Sequence, residues 1–109
     1  MKAVKYALTM AIAMTMGAAH AADAPQAPGA AVYAEMCGMC HQTNGMGVGI
    51  LSRRADASKG LLEQRADLSA AVVKVVVRNG IGNMPRISRG EVSDAQLDAI
   101  ASYLSRGKP

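Results

Sequence analysis

The sequence predicts a small all-α domain, and two local patterns carry that prediction. Ser93-Asp94-Ala95-Gln96 is a capping box, with Ser93 as N-cap and Gln96 three residues inside. Leu97, Ile100 and Leu104 follow at helical intervals and define one inward stripe. Upstream, a helix over Gly29 to Met39 places Tyr33 and Cys37 four residues apart on one face. The 109 residues contain no repeat and no second domain.

The N-terminus reads as a targeting segment. Lys2 and Lys5 precede an Ala- and Met-rich apolar run from about Tyr6 to Met16. Ala19-His20-Ala21 is an A-x-A cleavage site, with His20-Ala21-Ala22 as an alternative. The apolar run is short of the ~20 residues a membrane span requires. The expected organisation is a signal peptide over 1–21, a proline-bearing tail over 22–28 and one domain over 29–109. It implies secretion to the periplasm and no stable membrane insertion after cleavage. Cleavage removes two of the 12 basic residues against 8 acidic ones, so the mature surplus is small. That balance gives no case for nucleic-acid or membrane-surface binding.

Cys37-Gly38-Met39-Cys40-His41 is the chemical centre of the chain. Cysteines three apart lie about one helical turn apart, and each thiol can add to a haem vinyl group. His41 follows at once and can reach the iron from the same side. C-x-x-C-H is the attachment signature of c-type haem, with the histidine as proximal ligand. A structural zinc site needs four ligands, and after cleavage only these two cysteines and one histidine remain. A thioredoxin-like pair needs a βαβ setting that the surrounding helical pattern lacks. A disulfide here would close a trivial loop.

With these residues in view, the chain resembles the class I cytochromes c from about position 29 to 106, more weakly between 47 and 66. Gly29-Ala30-Ala31-Val32-Tyr33 looks like that family's first helix, Asn79-Gly80-Ile81-Gly82-Asn83-Met84-Pro85 like its distal-ligand loop, and Ala99-Ile100-Ala101-Ser102-Tyr103-Leu104 like its closing helix. The resemblance implies three to four helices around one covalently attached haem c. The first and last helices would cross where Gly29, Tyr33 and Tyr103 meet. It also decides Ser69 to Asn79. That valine run suits a strand, while Ser69 as N-cap and Gly80 as C′ residue suit a helix, and the family pattern favours the helix.

The remaining segments are less marked. Gln42 to Gly49 reads as a glycine-rich loop that permits close backbone approach to a haem edge. The family's proline after C-x-x-C-H is missing, so the acceptor for the His41 imidazole N–H is expected from a backbone carbonyl near Gly47 to Gly49. Ile50 and Leu51 are expected to wall the pocket, and Ala57 to Gln64 to form a short helix. Arg53, Arg54 and Arg65 suit either haem propionates or solvent. Arg106 and Gly107 close the last helix.

The sixth iron position needs a second ligand, and no histidine is left for it after cleavage. Met36 and Met39 adjoin the attachment cysteines and cannot reach the opposite face, and Met46 is close in sequence to the proximal side. Met84 lies far along the chain with Pro85 fixing the backbone beyond it. His41/Met84 ligation implies an electron-transfer protein and no enzyme of its own. A narrower likeness rests on Val76-Val77-Arg78-Asn79-Gly80, Met84-Pro85, Tyr33 and the short mature chain. It is to the cytochrome subunits of p-cresol methylhydroxylase and eugenol hydroxylase, and it implies a flavoprotein dehydrogenase as redox partner. The docking rim would include Met46, Met84 and Arg86. The alternatives are a free carrier donating to a terminal oxidase, and a haem enzyme or gas sensor with a displaceable Met84.

The mature part has no Phe or Trp, and only Tyr33 and Tyr103 as aromatics. A core so poor in large side chains implies a fold that depends on a covalently held apolar cofactor.

Overall fold

A computed structural model describes residues 27–106. The expected signal peptide and most of the tail lie outside these residues, as does Gly107. Four α-helices run in the order α1 (Pro28–His41), α2 (Met46–Arg54), α3 (Ala70–Asn79) and α4 (Asp94–Ser105). Two 3-10 turns, Ala57–Lys59 and Leu62–Gln64, link α2 to α3.

α1 begins one residue earlier than expected because Pro28 occupies the first turn, where its missing N–H costs nothing. It runs on to His41, so the whole Cys-x-x-Cys-His motif is helical. α1 buries Gly29, Tyr33 and Gly38 and packs across α4. A Cβ on Gly29 would lie 2.0 Å from the Ala99 carbonyl oxygen and 2.7 Å from Tyr103 Cβ. Only glycine permits that approach. The Tyr33 and Tyr103 rings stand 5.7 Å apart at 46°, a tilted aromatic contact. The expected crossing of first and last helices is thus present, at the residues expected to make it.

The glycine-rich stretch is only half a loop. Residues 42–45 form the turn, and Met46 already opens α2, so Gly47 and Gly49 are helical. Asn44 takes φ +68°, which lets the chain reverse within those four residues. The short helix expected over Ala57–Gln64 is two separate 3-10 turns. Gly60, buried between them, packs so closely on α2 that a Cβ would meet Ser52 Oγ at 2.2 Å.

α3 is a helix, as the family pattern and the caps favoured over the valine run. Ser69 Oγ accepts from the Val72 N–H at 3.2 Å, and Gly80 ends the helix at φ +73°. Burial of Val73 and Val77 offsets their β-branched penalty. The α4 capping box is complete, with the Gln96 N–H donating to Ser93 Oγ at 3.2 Å and the Ser93 N–H to Gln96 Oε1 at 2.9 Å. Ser93→Ala is expected to lower stability by about 1 kcal/mol, measured as a lower denaturant midpoint at unchanged slope. α4 buries Leu97, Ile100, Ala101 and Leu104. These join Tyr33, Leu68, Val73, Val77 and Val92 in one core.

Candidate functional site

Cys37, Cys40 and His41 occupy the last turn and a half of α1. Both thiols are free and half-buried, and Cys37 packs against the core. Burial raises the Cys37 thiol pKa, with the neighbouring Cys40 adding to it, so Cys37 resists forming a thiolate by itself. Burial also lowers the His41 pKa. The imidazole is therefore neutral at pH 7, the form that ligates a metal.

His41 is held at two places. Its carbonyl accepts from the Tyr33 hydroxyl at 3.2 Å, and Tyr33 is itself 1% exposed. Its ring lies against Gly47, where a Cβ would stand 3.1 Å from Cε1, 3.2 Å from Nδ1 and 2.8 Å from the Cys40 carbonyl oxygen. Among the described residues, Nδ1 is buried with no hydrogen-bond partner. The carbonyl acceptor expected near Gly47 to Gly49 is not bonded to it: these residues lie in the first turn of α2, where backbone carbonyls point along the helix toward its C-terminal end. Gly47→Ala is expected to push the imidazole out of place. Haem-loaded protein should then show an altered Soret band and a lower yield, with near-native helical circular dichroism.

Met84 sits in a separately braced loop. The Ile81 N–H bonds the Met84 carbonyl at 3.0 Å and the Met84 N–H bonds the Ile81 carbonyl at 2.9 Å, closing a two-residue turn. Gly82 takes the first central position at φ +55°, as turns of this kind demand. Beyond it, the Ile87 N–H bonds the Val77 carbonyl at 2.8 Å, and Arg78 Nη1 donates to the Ile87 carbonyl at 3.1 Å. A Cβ on Gly80 would meet the Met84 oxygen and the Arg86 nitrogen, each at 2.8 Å. The loop is therefore stitched to the end of α3 on both sides of Met84.

The four candidate methionines differ in setting. Met39 is 92% exposed, Met46 67% and Met36 40%. Met84 alone of the four packs against the core, the same core that Cys37 touches. Ile50 and Leu51 are half-buried on α2. Arg65 pairs with Asp67 at 2.8 Å, whereas Arg53 and Arg54 are exposed. The Tyr33 hydroxyl bond and the Gly47 contact were not foreseen, since no sequence spacing encodes either.

These residues fit a c-type haem. Two unoxidised thiols one turn apart, a neutral imidazole and a braced thioether make the right donor set. Among the described residues no three His, Cys, Asp or Glu side chains converge to hold a bare ion.

Fold and site define a c-type cytochrome, and comparison with known proteins agrees: the chain belongs to the class I c-type cytochromes. Residues 24–104 match the family model described as cytochrome c oxidase, cbb3-type, subunit III. The chain is similar to the cytochrome c subunit of 4-cresol dehydrogenase (hydroxylating) from Pseudomonas putida, at 34% identity over 94% of this chain and 85% of that one. It is also similar to chloroplastic cytochrome c6 from Chlamydomonas reinhardtii, at 33% identity over 90% of this chain and 65% of that one. No solved structure matches at a significant level. Haem c and electron carriage follow from the family. Among the described residues no helix is long and apolar enough to cross a membrane.

Proposed function

We propose that this protein is a periplasmic one-electron carrier. Residues 1–21 direct its export and are removed, leaving a tail over 22–28 and the cytochrome domain. One haem c per chain is attached through Cys37 and Cys40, with His41 and Met84 as the axial ligands. When bound, the haem supplies a single electron exchanged between ferric and ferrous iron.

The chain's own residues account for the rest. The two thiols fix the position of the group on α1. His41 is kept neutral by burial and its ring is set by Gly47. Met84 is presented by a loop whose backbone bonds leave it little freedom. With haem bound, an imidazole and a thioether as its two protein ligands would favour the ferrous state and raise the potential, the residues that would supply them being His41 and Met84. The observation that carries this reading is the contrast among the methionines, of which only Met84 is both core-packed and braced.

The likeness to the 4-cresol dehydrogenase subunit supports a dehydrogenase, a flavoprotein acting on phenols or alcohols, as electron donor. A second reading is a freely diffusing carrier that passes electrons to a terminal oxidase; the chain is also similar to a cytochrome, cytochrome c6, whose name carries no dehydrogenase. Purification of the tagged protein from its native periplasm separates them. Co-elution of a flavin-containing subunit that reduces the haem supports the first, and isolation of a reducible monomer alone supports the second. Rapid binding of carbon monoxide to the ferrous protein would contradict both and indicate a displaceable Met84.

A further inference from the structure

We propose that Arg78 is a positioning residue for the axial thioether: its guanidinium holds the segment beyond Met84 and so keeps Met84 in the ligand position. The inference rests on the reading of Met84 as axial ligand. It adds the residue that sets how readily Met84 lets go.

Arg78 stands in the last turn of α3. Its Nη1 donates to the Ile87 carbonyl at 3.1 Å, and its Nη2 to Asp94 Oδ1 at 2.8 Å. One planar fork thereby joins the end of α3, the segment that follows Met84 and the first residue of α4. The second oxygen of Asp94 accepts from Arg89 Nε at 2.9 Å, which fixes the carboxylate that orients Arg78. The two arginines differ in setting. The Arg78 side chain is 17% exposed and that of Arg89 73%. Arg78 Nε is buried with no partner among the described residues. A buried donor left unbonded is unusual, so the two Nη bonds determine the pose.

The effect of the Ile87 bond follows from how the Met84 loop is anchored. At its start the Gly80 N–H bonds the Val76 carbonyl at 2.8 Å. At its tip a Cβ on Gly82 would stand 3.0 Å from Arg54 Nη1, but that arginine is exposed and free to move aside. At its far end Ile87 is the anchor. Its N–H bonds the Val77 carbonyl at 2.8 Å, and its carbonyl takes Arg78. Side-chain packing closes this end only in part. Ile87 touches the core, yet an open cleft of about 440 Å³ lies among Arg78, Asn79 and residues 86–89. Hydrogen bonds therefore carry much of the restraint, and the one from the guanidinium is charge-assisted, the stronger kind.

Loss of Arg78 should loosen the loop more than the fold. Asp94 is 64% exposed, and an ion pair to an exposed carboxylate adds little to global stability. The Ser69 and Ser93 caps and the Ile81–Met84 turn do not involve Arg78. The Ile87 carbonyl, by contrast, loses its side-chain donor three residues from Met84. An added ligand that needs Met84 displaced binds in proportion to the fraction of molecules in which it is displaced, so ligand affinity reads the restraint directly.

The test uses haem-loaded ferric protein and imidazole as a competing ligand, followed by loss of the sulfur-to-iron band. Arg78→Leu should bind imidazole about tenfold more tightly than the parent. Asp94→Asn, which removes the ion pair and leaves the Ile87 bond, should shift the affinity by about threefold at most. Arg78→Lys, with a single donor head in place of the fork, should bind about threefold more tightly, and it carries the test if the leucine variant takes up no haem. In a Met84→Ala background Arg78→Leu should change imidazole affinity by less than about twofold, because the side chain it positions is already gone. Equal changes in the two backgrounds would overturn the proposal. So would an unchanged affinity in Arg78→Leu or, without it, in Arg78→Lys, and so would an effect of Asp94→Asn as large as that of Arg78→Leu. A parent protein that lacks the sulfur-to-iron band would defeat the reading of Met84 as ligand itself, and would be seen before any variant is compared.

Discussion

Met84→Ala is expected to abolish the weak long-wavelength sulfur-to-iron absorption band and to lower the reduction potential. Axial ligands spread haem potentials over roughly 0.8 V, and loss of the thioether should cost a shift on the order of 0.2 V. Met84 packs against the core while its neighbours in the turn are exposed, so truncation also leaves a cavity. The fold should nonetheless persist, because the loop is held by backbone bonds at Ile81, Met84 and Ile87 that do not involve the thioether. The ferrous variant should bind carbon monoxide rapidly where the parent does not. Retention of the band would place another residue on the iron.

Gly29→Val is expected to cause the largest loss of stability. The α1–α4 crossing admits no side chain at position 29, since even the first carbon would overlap the Ala99 backbone. Relief requires moving a helix, and overpacking of this severity costs about 3 kcal/mol or more. A domain with 80 described residues has on the order of 4–12 kcal/mol in total. The Tyr33–Tyr103 contact and the burial of Ile100 and Ala101 depend on the same approach. Thermal unfolding of the haem-loaded variant should begin more than 10 °C lower, if it folds at all. A midpoint within a degree or two of the parent would show that the helices can separate at little cost.

The parts legible in the sequence were those with local chemistry. The Ser93/Gln96 box and the C-x-x-C-H pentapeptide each state their role within a few residues, whereas the Ser69 and Gly80 caps competed with a valine run and the resemblance decided for the helix. The Gly29 crossing was legible only through the resemblance, because an N-terminal glycine has no local signature. What escaped was set by packing between segments. Met46 begins a helix although two glycines follow within three residues, a composition that suggests a loop, and α2 is then held by its contacts with α1 and the first 3-10 turn. The Gly47–His41 contact and the meeting of Arg54 with Gly82 join positions whose separation encodes nothing. The ion pairs that neutralise Arg78 and Arg89 likewise depend on where α4 begins, since both reach Asp94.

The account rests on a porphyrin covalently joined to α1, and intact mass spectrometry of the exported polypeptide tests that join most directly. The parent protein should weigh the sequence from residue 22 onward plus one haem, even after acid–acetone extraction, and Cys37→Ala with Cys40→Ala should carry none. A mature chain of unmodified mass, with both thiols still open to alkylation, would contradict the account.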